Sequence, residues 1–136
     1  MIVTTDIGNI LYRDCKAFGI GEIYRKGDIP PVPNNPNYRL ETERIVIRTK
    51  NQSPGKYWKK GFVEVNLCVP DAQPDVANLL RLAELERQAM KILRGSGSYD
   101  GSFYRYSIEN IGMEADTALK CHYVNVRILF EVLNVK

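Results

Sequence analysis

His122 is the only histidine of the chain, so any acid–base or metal chemistry carried by an imidazole has to pass through it. A thiol within reach of that ring would form a nucleophile pair, and the chain has three cysteines to offer, Cys15, Cys68 and Cys121. Cys121 and His122 are neighbours in a stretch that alternates like a strand, where adjacent side chains point to opposite faces, and this prevents a local pair. A pairing of His122 with Cys68 from another strand stays open, and with it a small enzyme using Cys68 or Cys121 with His122. By its period His122 shares an apolar face with Val124, which is a structural setting. The cysteines are odd in number, widely spaced and without a C-x-x-C cluster, and they read as free buried thiols. Asp71 and Asp75, and Glu114 and Asp116, are pairs of carboxylates without histidine support. Such pairs serve as caps and solvated turns more readily than as metal or proton-transfer sites.

The glycine runs fail as phosphate sites. Gly95-Ser96-Gly97-Ser98 follows a predicted helix, whereas a phosphate loop must precede one so that its amides and the helix N-terminus converge on the anion. It reads as a flexible connector. Gly19-Ile20-Gly21 has no strand before it, and Tyr24 occupies the third glycine position of a dinucleotide fingerprint. The expectation is therefore no catalytic residue, no cofactor and no metal. What remains is Lys56-Tyr57-Trp58-Lys59-Lys60, which interleaves lysines with aromatics and includes the only tryptophan. That mixture suits phosphate contact with base stacking, and equally a protein interface anchored by an aromatic. It also suits a plain core edge capped by Trp58. Arg44 and Arg48 add to it: seven basic residues stand against two acids between Arg39 and Lys60.

Several elements must hold these residues. Ile7, Ile10, Leu11, Cys15 and Phe18 predict an N-terminal helix with Thr4, Thr5 or Asp6 as its cap and Gly19 as its stop. A short strand at Glu22–Arg25 leads to a Pro-rich loop or arm at 29–38. Arg44–Thr49 and Phe62–Val69 alternate as strands around a long basic hairpin turn at 49–60. After Pro70, a helix is expected over Pro74–Leu93, capped by Asp71 or Asp75. Val76, Leu79, Leu80, Ala83, Met90 and Leu93 form its apolar stripe, widened by Leu82, Leu85, Ala89 and Ile92, and so wide a stripe predicts contact with more than one surface. Strands at about Phe103–Ile111 and Leu119–Asn134 follow, the last long enough to predict a bend or bulge. This is an α+β domain spanning 1–136, with a mainly antiparallel or mixed sheet of 4–5 strands and the helices on one face. Its 136 residues and 44% hydrophobic composition suit one core, no apolar run is long enough to span a bilayer, and the start does not resemble a signal peptide. A cytoplasmic location and no membrane partner are expected.

The order of helix, Pro-rich loop, hairpin, long helix and two further strands resembles the phage tail-completion proteins, the tail-terminator and head-to-tail joining class. The matching pieces are Trp58-Lys59-Lys60-Gly61-Phe62-Val63-Glu64-Val65-Asn66, the helix Leu79–Leu93, and Asp116-Thr117-Ala118-Leu119-Lys120-Cys121-His122-Tyr123-Val124-Asn125-Val126. The resemblance implies a non-enzymatic structural protein of phage or prophage origin and a ring, expected to be hexameric, that ends the tail tube or joins it to the head. Its partners would be copies of itself and tail or neck proteins, first in the cytoplasm and then in the virion. Arg44, Arg48, Lys56, Tyr57, Trp58, Lys59 and Lys60 are the expected contacts with a partner, or with DNA through sequence-independent phosphate attraction. A nucleic-acid-binding module using this basic, aromatic turn is the alternative.

Overall fold

The computed structural model describes residues 1–52 and 58–133, the side chain of Trp58 excepted. Its elements are α1 (Thr4–Cys15) with a 3-10 turn (Lys16–Phe18), β1 (Glu22–Arg25), β2 (Arg44–Thr49), β3 (Trp58–Pro70), α2 (Leu79–Ile92), β4 (Gly95–Tyr99), β5 (Ser102–Asp116) and β6 (Cys121–Leu133). The strands form one six-stranded sheet in the order β1-β2-β3-β6-β5-β4. β1 runs parallel to β2 and the other neighbours are antiparallel, so the sheet is mixed.

Two-residue alternation divides the sheet into an inner and an outer face. Ile45 and Ile47 of β2, Val63, Val65, Leu67 and Val69 of β3, and Val124, Val126, Ile128, Phe130 and Val132 of β6 point inwards and are buried. Ile7, Ile10, Leu11 and Cys15 of α1, and Leu82, Leu85 and Ala89 of α2, join the same core. Burying one such aliphatic side chain stabilises the fold by about 1.5–3 kcal/mol, so this face dominates the energetics. A second, smaller cluster lies on the outer face, where Leu40, Val46, Cys68, Leu119 and Cys121 are covered by Ile29, Tyr38 and Tyr123.

Six strands rather than 4–5 arise because Gly95–Tyr99, read as a connector, is an edge strand. It is joined to β5 by Asp100 and Gly101, with φ of 50° and 77°. Two consecutive positive φ values are those of the tight hairpin turn that Asp-Gly favours. The glycines have a second reason. Gly95 faces Tyr106 and Gly97 faces Tyr104 across the ladder, and a Cβ at Gly97 would stand 3.0 Å from the Tyr104 hydroxyl. The Tyr104 and Tyr106 rings lie nearly parallel to Phe130, with centroids 5.4 and 5.5 Å from it. The glycines thus make room for an offset aromatic stack.

Caps and boundaries also differ from expectation. Val3 is the N-cap of α1, and Asp6 accepts its backbone N–H at 2.9 Å. α1 itself ends at Cys15 with Lys16 as its C-cap, and Gly19, at φ 74°, stops the 3-10 turn that follows rather than the α-helix. α2 begins at Leu79 because Asn78 caps it, accepting the Arg81 N–H at 3.2 Å. Asp75 instead sits in a turn at φ 64°. The irregularity expected in the last strand falls in its neighbour: β6 is regular, and the register shift lies between Ile108 and Asn110 of β5. β3 starts at Trp58, so the expected turn at 49–60 is shorter and Lys59 and Lys60 belong to the ladder.

Candidate partner interface

The outer face presents cross-strand rows. One row runs Arg48, Glu64, Arg127 over β2, β3 and β6, and another runs Lys60, Glu131, Arg105 over β3, β6 and β5. Between them lies the apolar pair Phe62 and Leu129, and beyond them Leu133 with Phe103. Opposite charges directly across a ladder support the sheet. Here Glu131 accepts from Arg105 at 3.2 Å with the Lys60 ammonium 3.9 Å away, Glu64 takes Lys50 at 3.1 Å, and Arg127 pairs with Glu109 at 3.4 Å while lying over the Phe62 ring. The result is a face of balanced charge with apolar stripes.

The expected contact residues divide accordingly. Arg48 and Lys60 are exposed on this face. Lys59 has the opposite parity and donates to the Ile2 carbonyl at 3.4 Å, at the rim of the core. Arg44 departs from the expectation of a surface contact: it is buried on β2, 3.9 Å from Glu22 and stacked over the Tyr24 ring. Glu22 is itself held by Thr42 and Tyr24, whose hydrogen bonds pull its carboxyl below the usual range, the Thr42 bond foremost. Lys56, Tyr57 and the Trp58 side chain lie outside the described residues.

The Pro-rich segment crosses the far end of the same face. Leu40 donates its N–H to the Leu119 carbonyl at 2.9 Å, and Lys120 reaches the Pro36 carbonyl at 2.6 Å. Tyr38 and Leu40 are thus anchored on the chain's own sheet, while 31–37 stand exposed.

The strands also decide the chemistry of the thiols. Val69 faces His122 and Pro70 faces Cys121 in the ladder, so the imidazole is on the inner face while Cys121 and Cys68 are on the outer one. The pairing of His122 with Cys68 is therefore not formed. His122 Nδ1 donates to Asp71 at 2.7 Å instead, which ties the loop before α2 to β6. The Cys121 thiol is held well above its ordinary value, by its hydrogen bond with Cys68 first and by burial second. Burial pushes the Cys15 thiol up to about 12. Both therefore stay in the thiol form at neutral pH. Among the described residues no group of three or more His, Cys, Asp or Glu is placed to hold a metal ion, and no helix is long and apolar enough to cross a membrane.

Two features escaped the sequence reading. Gly-x-Gly two residues before an Asp-Gly turn, with Tyr-x-Tyr after it, marks a hairpin whose rings cover its glycines. The apolar positions of α2 separate into two faces rather than one broad stripe: Leu82, Leu85 and Ala89 point inwards, and Leu79, Leu80 and Met90 are exposed, as is Val76 in the loop before the helix. No protein-family model matches the chain, and no significant match is found among curated proteins.

Proposed function

We propose that the protein is a non-enzymatic assembly subunit of the phage tail-completion type, self-associating into a ring at the end of a tail tube or at the head–tail junction. The observation that carries this reading is the pair of open sheet edges. β1 and β4 end the sheet on opposite sides, and β4, Gly-Ser-Gly-Ser-Tyr, has no charge or proline to discourage strand addition. Two different edges joined head to tail make a heterologous contact, which closes into a ring when the rotation per copy divides the circle. The exposed stretch 31–37 and the apolar stripes of the outer face supply further contact area for neighbouring copies or tail proteins.

Light scattering after size exclusion, with electron microscopy in the presence and absence of tail-tube protein, tests the proposal. Closed rings are expected. A strictly monomeric species at every concentration, with no rings under either condition, overturns it.

Nucleic-acid contact is the second reading. It rests on Arg48, which is exposed without an ion pair among the described residues, and on Lys56, Lys59 and Lys60. Against it, Glu64 and Glu131 stand beside these cations and would face the phosphates. It predicts salt-dependent binding of duplex or single strands that weakens when Lys56, Lys59 and Lys60 are neutralised. No binding at low salt removes it.

A further inference from the structure

Cys68 and Cys121 stand side by side on the outer face, each 2% exposed, in the small cluster they form with Leu40, Val46 and Leu119. Cys68 faces Tyr123 across the β3–β6 ladder and Cys121 faces Pro70, so the two cysteines are diagonal neighbours. The Cα atoms of such neighbours are about 7–8 Å apart, past the separation of about 6.8 Å up to which disulfides close. The thiols nonetheless meet, since Cys121 hydrogen-bonds Cys68. Two sulfurs in contact, on backbones too far apart for a covalent link, leave a gap that one metal ion spans with two metal–sulfur bonds of about 2.3 Å each.

The donors select the ion. Among the described residues no third His, Cys, Asp or Glu is placed to join the pair, so zinc, which takes four ligands, is not satisfied. Soft sulfur in an apolar cluster suits monovalent copper, which accepts two ligands in a line. We propose that Cys68 and Cys121 form a two-coordinate Cu(I) site. Binding replaces both thiol protons, which leave to solvent, so the bis-thiolate complex carries one net negative charge. Arg44 supplies the countercharge. It faces Cys68 directly across the β2–β3 ladder and is 9% exposed. Its outer end lies 3.9 Å from Glu22, while its Nε–H is buried with no hydrogen-bond partner among the described residues. An unpaired buried donor is costly, and a metal-bound thiolate opposite it removes that cost. A cavity of about 330 Å³ reaches Cys121 from the end of the sheet, and Asp75 and Asp116 in its wall draw a cation in. The site uses none of the sheet edges and does not depend on the assembly reading.

The test is anaerobic titration of the full chain with Cu(I), in competition with bicinchoninate, on the wild type and on variants checked for native circular dichroism. One ion is retained per chain, with two sulfur neighbours and no nitrogen or oxygen in the copper X-ray absorption spectrum, and the loaded protein keeps its native dichroism. Cys68→Ala and Cys121→Ala each lose retention, Cys15→Ala keeps it, and Zn(II) offered in place of Cu(I) is not retained on desalting. Arg44→Met weakens binding by about tenfold or more, the usual loss when a group supporting a metal ligand is removed; an affinity indifferent to it overturns the countercharge. A wild-type chain that yields all its copper to bicinchoninate, retention that survives Cys68→Ala or Cys121→Ala or is lost in Cys15→Ala, a spectrum with fewer than two sulfurs, retained Zn(II), or copper taken up only with loss of native dichroism overturns the site itself.

Discussion

Arg13, Asp14, Tyr104 and Tyr106 show how individual residues fasten the first helix to the far side of the sheet. Arg13 donates to the Tyr104 hydroxyl at 2.8 Å and bonds Asp14 at 2.9 Å, and the Tyr106 hydroxyl donates to Asp14 at 2.5 Å. Burial, then this bond, raises the Tyr106 phenol, and Cys15 next along the helix is raised by burial to about 12. Both groups are neutral when protonated and hold their protons more tightly folded than unfolded. Their contribution is fully present below the ordinary values of 9.0 and 10.0, and is lost as pH climbs towards the folded ones. Denaturant midpoints are accordingly expected to hold level to about pH 9 and to fall above it. Tyr106→Phe lowers stability at neutral pH by about 1 kcal/mol and makes the alkaline fall shallower. An alkaline limb unchanged by Tyr106→Phe and Cys15→Ala contradicts this account.

At the scale of elements, the inward-facing glycines of β4 make a sharp prediction. Gly97→Val places branched carbon where a Cβ already meets the Tyr104 hydroxyl at 3.0 Å, and overpacking of this kind costs about 1–3 kcal/mol. Ser98→Val, pointing outwards from the same strand, costs far less in the same thermal or denaturant measurement. Equal losses at the two positions rule out the ring-over-glycine packing. The hairpin also explains what was legible beforehand. β2 and the interior of β3 and β6 were readable because alternation of Val, Ile and Leu with polar residues has one structural meaning. β4 was not, since glycine and serine carry no hydrophobic period, and its pairing is dictated by Tyr104 and Tyr106 seven to eleven residues away. The boundary of α2 was missed because Asp71 and Asp75 compete with Asn78 as caps, and Asp71 is taken by His122. Of the expected contact residues, Arg48 lies on the strand read for it, whereas Lys60, read in the turn, belongs to β3 because the ladder with β6 continues to Trp58. The burial of Arg44 depends on Glu22 and Tyr24 from a parallel neighbour, which a sequence period does not reveal.

For the molecule as a whole, the outer face and the edges are what assembly would use. Ser98→Lys adds a charge to the edge strand without touching the core, and on the ring reading it reduces or abolishes rings under the microscope while thermal stability stays within about 0.5 kcal/mol of wild type. Rings that persist undiminished would show that β4 is not the joint. The long central ladder has a mechanical consequence as well. All 13 residues of β3 face partners in β6 in unbroken antiparallel register, a length of about 44 Å. A pull along these strands loads the whole ladder in shear, so its hydrogen bonds resist together, whereas a pull across them opens the pairs one at a time. The domain is therefore stiff along one direction and weak along another, and the direction in which tension enters it decides whether it holds or unzips.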